Sequence, residues 1–291
     1  MAALFDMGRD RYQPDPTYAY TTDAQVRVDQ RKLAVLVGVI ALGLPIVLIV
    51  AGLLGDRGAA LGACFYDSIS HFYYAQFWGD VFVGALVFIG TFMIAYRGEN
   101  PRESLLATLA GFCAYGVAVF PTAGRGCEVE AFSGRALADF GPIETEPYFG
   151  VWQPDDARML FQLFEGANTM HFVAAALLFA FLAYYSFFVF TRVTADQRNA
   201  DGTLTATKRT RNRLYIASGI IILFSMAAIA LSGPLGFANW ETLNLTFWFE
   251  ALALWAFGLS WMLKGRFFGW AFLDARDKRD HEIILQRKHP G

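Results

Sequence analysis

Six apolar runs constrain this chain more than any other feature: roughly Leu33–Gly55, Phe77–Tyr96, Leu105–Phe120, Met170–Phe190, Leu214–Leu231 and Leu243–Leu263, separated by polar connections. A hydrocarbon core ~30 Å thick is crossed by about 20 helical residues rising ~1.5 Å each. Within lipid only helices and closed barrels satisfy their own backbone hydrogen bonds. The pattern predicts an all-α, polytopic transmembrane bundle of six helices.

Cations set the expected orientation. Twenty of the 24 Lys and Arg residues fall on one side of the alternation: five through Lys32, then Arg97 and Arg102, six from Arg192 to Arg213, and seven from Lys264 onward. The positive-inside rule assigns that side, and with it the N and C termini, to the cytoplasm. The chain divides into a cytoplasmic N-terminal segment, 1–32, a membrane domain, 33–264, and a charged, amphipathic tail, 265–291, with a long outer loop over 122–167. That loop carries eight carboxylates against three arginines. Thr194–Thr210 reads as a mobile cytoplasmic loop, and Pro45 as a kink in the first helix. The first 32 residues show no signal-peptide pattern. A net charge of −2 points to no nucleic-acid partner.

Ionisable residues inside spans are costly, at least ~2.5–3.5 kcal/mol each, unless they face the bundle or water. Almost all such residues lie at the outward ends. Asp67, Ser68, Ser70, His71, Tyr73 and Tyr74 precede the second run, with Asp80 just inside it; Glu165, Asn168 and His171 open the fourth; Glu250 lies about two turns into the sixth. Asp80, His171 and Glu250 are expected to converge in one inward-facing pocket, with Tyr73, Tyr74 and Asn168 beside them. The leading reading is a protein that binds a membrane lipid or small amphiphile there. The alternative is a metal-dependent lipid hydrolase with zinc held by Asp67, His71, Asp80 and His171. Asp67 and His71 are four apart and share a helix face, but Asp80 is half a turn out of phase with His71, so this site requires a break near Phe72–Gln76. Ser68 and Ser70 adjoin His71, yet neighbouring side chains on a helix diverge, and there is no Gly-x-Ser-x-Gly turn.

Small residues in the third and fourth runs, Ala107, Ala110, Gly111, Ala174, Ala175 and Ala176, suit close helix packing within the monomer, in a homo-oligomer or with a membrane-protein partner. Of three cysteines, Cys64 and Cys127 share the outer side and are expected to pair, while Cys113 lies inside the third run and is expected to behave as a small apolar residue.

The elements Asp67-Ser-Ile-Ser-His-Phe-Tyr-Tyr, Pro121, Asn168-Thr-Met-His-Phe and Phe247-Trp-Phe-Glu occur at the ends of these runs. Together they resemble a family of uncharacterised bacterial six-helix membrane proteins, distantly similar to the damage-regulated autophagy modulator group. The resemblance covers about residues 33–264 and implies fold, topology and a bacterial inner (plasma) membrane location. Ser70, His71 and Asp80 also resemble the first elements of the CREST membrane hydrolases, whose closing His-x-x-x-His pair is absent here. That likeness is what implies hydrolase chemistry.

Overall fold

The computed structural model describes residues 16–55, 63–75, 77–98, 101–120, 122, 124–125, 158–159, 166–194, 197–268, 273 and 275–288. The helices are α1 (Pro16–Gly55), α2 (Phe77–Ala95), α3 (Pro101–Val119), α4 (Ala167–Tyr184), α5 (Ala206–Leu235), α6 (Leu245–Lys264) and α7 (Ala275–Lys288). A 3-10 helix, Ser70–Tyr74, precedes α2, and a π-helical turn, Tyr185–Val189, prolongs α4. A two-residue antiparallel ladder pairs β1 (Gly124–Arg125) with β2 (Arg158–Met159). The rest of the long loop, with Cys127 and Glu165, lies outside the described residues.

Helices α1 to α6 form a ring in chain order. Each packs on the next, and α6 closes the ring on α1. Two seams bring backbones close together. A Cβ on Gly38 of α1 would lie 2.8 Å from the carbonyl oxygen of Gly258 in α6, and one on Gly111 of α3 would lie 2.6 Å from that of Gly90 in α2. Small residues admit this approach, and in lipid van der Waals packing supplies the association. Ala107, Ala110 and Ala114 are buried in the same part of α3, so the small-residue stripe serves packing within the chain.

Five helical segments are long and apolar enough to cross a membrane: Val28–Gly55, Phe77–Ala95, Ala167–Val189, Ala206–Leu235 and Leu245–Lys264. Helix α3 matches α2 in length, at 19 residues, but is not among the five. Its first turn holds Arg102 and Glu103, and much of the remainder is Ala, Gly and Ser, which pack well but add little hydropathy.

Several boundaries differ from those expected. Helix α1 begins at Pro16 instead of near 33 and continues through Pro45 as one 40-residue helix. Helix α5 absorbs the basic segment from Ala206, because Thr205 caps it by accepting the Lys208 N–H at 3.3 Å. The preceding loop is folded: Arg198 bridges to Leu204, and Asp201 Oδ1 accepts from both the N–H and hydroxyl of Thr203, at 2.9 and 2.7 Å. These bonds hold the Asp201 carboxyl below the usual carboxylate range. The tail is docked against α1. Arg31 of α1 donates to Asp280 of α7 at 2.9 Å, and the Asp280 side chain is only 1% exposed.

Candidate functional site

Between α1 and α2 the chain turns in over one end of the ring. Residues 66–75 bury Tyr66, Ile69, Phe72 and Tyr74 along with the polar Ser68, Ser70 and His71. Aromatic contacts hold this segment to α6: Phe65 and Phe72 lie 4.7 and 6.1 Å from Phe247, and Tyr66 lies 4.9 Å from Phe72. The Phe247 N–H, in the first turn of α6 and lacking an intrahelical acceptor, donates to the Asp67 carbonyl at 2.8 Å. Burial pushes the Tyr66 phenol up to about 12, so it stays neutral.

This anchoring delivers partners to Glu250. The Ser68 hydroxyl faces both carboxylate oxygens, at 3.0 and 2.9 Å, and the Ile69 N–H donates to Oε2 at 2.6 Å. Ser68 Oγ also accepts the Ser70 N–H at 3.1 Å. The sequence around Glu250 contains no partner for a carboxylate at that depth; the fold supplies one from 182 residues away.

Ser70 continues the chain of contacts. Its hydroxyl lies 3.0 Å from His171 Nε2, while His171 Nδ1 lies 2.5 Å from the Phe120 carbonyl oxygen. A carbonyl only accepts, so Nδ1 carries the proton. In the neutral ring Nε2 is then the acceptor of the Ser70 O–H. His71 is engaged elsewhere, with Nδ1 2.5 Å from Asp67 Oδ1. The 120–122 segment has a second role: Thr122 donates to Asn168 Oδ1 at 2.8 Å, and the Thr122 carbonyl accepts from Tyr74 at 3.1 Å. Tyr73 packs edge-on against Tyr74 at 5.3 Å.

His171 and Glu250 are therefore joined through Ser70 and Ser68, as expected of two of the three residues meant to converge. Asp80, in the first turn of α2, is exposed where burial in the bundle was expected. The break in the chain that a zinc site required does occur, as the 3-10 turn ending at Ala75. It does not assemble the four proposed ligands, and among the described residues no group of three or more His, Cys, Asp or Glu side chains is placed to hold a metal ion. Asp67 and His71 bind each other, and both nitrogens of His171 are occupied by protein groups.

Sequence reasoning placed Ser68 and Ser70 beside His71, whereas the fold gives them Glu250 and His171. The Phe120 carbonyl and Thr122 were not anticipated, since backbone acceptors leave no mark in a sequence. Cys113 is a free thiol and Cys64 is disulfide-bonded. Cys127, its expected partner, lies outside the described residues. No family model, curated protein or solved structure matches the chain.

Proposed function

We propose that this is a six-span plasma-membrane protein, with both termini cytoplasmic, that binds a lipid or small amphiphile at the Glu250 end of the bundle. Support for a sixth span comes from α3. It packs between α2 and α4, and it presents Leu105, Leu109 and Phe112 to the exterior as the other helices present Leu36, Phe88, Phe172 and Phe224. Exposed apolar stripes of this kind suit acyl chains and are rare on soluble monomers. With six spans, the cation-poor loops and the Glu250 end face outward.

One observation carries the binding reading. Three donor–acceptor pairs, Asp67–His71, Ser68–Glu250 and Ser70–His171, are gathered from three separate parts of the chain at one end of the ring. Phe65, Phe247 and the exposed Trp248 stand beside them. An amphiphile matches both halves of that surface: its polar head meets the hydroxyl, imidazole and carboxylate groups, and its tail meets the rings and the lipid. Asp67, with a side chain 28% exposed, marks where the cluster opens. On this topology Cys64 and Cys127 both face an oxidising compartment, and their bridge would add about 3–5 kcal/mol in the chain-entropy account.

The test is lipid extraction and mass spectrometry of the purified protein. A defined amphiphile bound near one per chain, and depleted at least tenfold in Glu250→Gln with the fold retained, is the expected result. Bulk membrane lipid alone, in the same ratios from both forms, sinks the reading.

A further inference from the structure

We propose that Ser70 and His171 form a nucleophile and general-base pair that hydrolyses a carboxylic ester of a membrane lipid, an inference that rests on the amphiphile-binding reading and names its substrate class. Geometry is the foundation. An activated serine needs its hydroxyl within about 2.6–3.2 Å of a base that is itself oriented by a third group. Ser70 Oγ lies 3.0 Å from His171 Nε2, and the Phe120 carbonyl holds the opposite nitrogen at 2.5 Å. The tautomer this fixes leaves the Nε2 lone pair facing the hydroxyl, as proton abstraction requires.

Both members are locked by other contacts. The Ser70 N–H is bound by Ser68 Oγ, and the turn that carries it is closed by His71 N–H to Ser68 O and Phe72 N–H to Ile69 O, each at 3.2 Å. His71 Nδ1 is taken by Asp67 Oδ1. Both Ser70 and His171 are buried, so a bound ester would meet them in a site from which bulk water is largely excluded.

Depth selects the substrate. His171 is the fifth residue of α4, about 6 Å along the helix axis from Ala167. The interfacial layer of a bilayer is some 5–8 Å deep on each side, and the ester groups of a glycerolipid lie at its inner edge. Ser70 Oγ attacks the ester carbonyl carbon while its proton passes to Nε2. The carbon–oxygen bond to the alcohol then breaks, and that proton leaves with the alcohol. Water attacks the acyl-serine, gives one proton to Nε2 and releases the carboxylic acid, and the proton returns to Ser70 Oγ.

The experiment treats the full-length protein in detergent with a fluorophosphonate probe, maps the adduct by mass spectrometry and extracts bound lipid from the same preparation. One adduct per folded chain, on Ser70 and absent after denaturation, is expected. Labelling should slow about 100-fold in His171→Gln, the lower bound for loss of a general base. Because that variant perturbs a buried contact, the pH profile of native labelling provides a second reading and should fall in acid as the imidazole protonates. No Ser70 adduct on a chain that still carries its amphiphile overturns the pair and leaves the binding reading intact. A Ser70 adduct on a chain that binds no amphiphile overturns the lipid ester as substrate. A rate indifferent to both His171→Gln and pH overturns the role of His171.

Discussion

At one end of the bundle Glu103 is closed off by an ion pair with Arg192, while at the other Glu250 is met by a hydroxyl and an amide N–H. The Glu103 end is built from fixed partners. Tyr185 donates to the Glu103 carbonyl, and the π-helical turn after it leaves the Phe190 and Thr191 carbonyls to be taken by Lys208 and Asn212 of α5, at 3.0 and 3.1 Å. Lys264 sits 5.5 Å from the centre of the Phe190 ring. Arg192, Lys208 and Lys264 thus answer a carboxylate, an orphaned carbonyl and a π face. At the Glu250 end the connecting groups are hydroxyls and imidazoles, which can give or take a proton. Buried polarity at the first end ties helices together, whereas at the second it joins the segment before α2 to α4 and α6 through side chains that are themselves donors or acceptors.

Breaking the ion pair should produce the largest effect. Arg192→Ala removes an ion-pair partner of Glu103, whose side chain is 2% exposed, and should destabilise by about 3 kcal/mol, the low end for a buried pair because Arg192 itself is 38% exposed. Thermal unfolding in detergent measures it, and a loss under 1 kcal/mol would mean the two ends do not differ as described. Next in size is the α1–α6 seam. Gly38→Ala places a Cβ 2.8 Å from a backbone oxygen and 2.4 Å from Met262 Cγ, an overpacking that should cost about 1–3 kcal/mol by the same measurement.

Glu250→Gln sharpens the contrast, since its amide oxygen can still accept from Ser68 or Ile69. We expect a stability change of about 1 kcal/mol or less, together with the loss of bound amphiphile; a collapse of the fold would place Glu250 with Glu103 as a structural charge. The smallest effect concerns Asp201. Its lowered folded-state pKa means that the contribution of its bonds to Thr203 is present above the unfolded-state pKa and lost as pH falls through the folded value. Protection factors for the amides of residues 199–205, taken against the intrinsic exchange rate at each pH, should therefore fall in acid while those of the helices are kept.

Much of the architecture was legible because lipid imposes a one-dimensional rule: a long apolar run becomes a helix. Helix α3 follows the same rule as a helix but is not among the five long apolar segments, since it opens with Arg102 and Glu103 and is rich in small residues that pack against α2. Thr194–Thr210 misled for a different reason. Its Asp, Gly and Thr residues read as loose, yet in place they form a turn and a helix cap. The candidate site was half legible. His171 and Glu250 stood out as ionisable groups in apolar runs, but so did Asp80, which proved exposed. Depth along a helix can be counted from sequence, whereas the direction a side chain faces depends on which neighbours surround it.

The sequence by itself determined that this chain is helical, that its helices are apolar enough for a membrane, and that its charges gather between them, because each follows from local composition acting over a few turns. Only the tertiary structure decided that the segment before α2 folds back over the ring, that Ser68 answers Glu250 across 182 residues, and that Ser70 faces His171 instead of His71. Those pairings depend on backbone carbonyls at Asp67 and Phe120 and on helices meeting at glycines, and distant groups of that kind are brought together by packing alone.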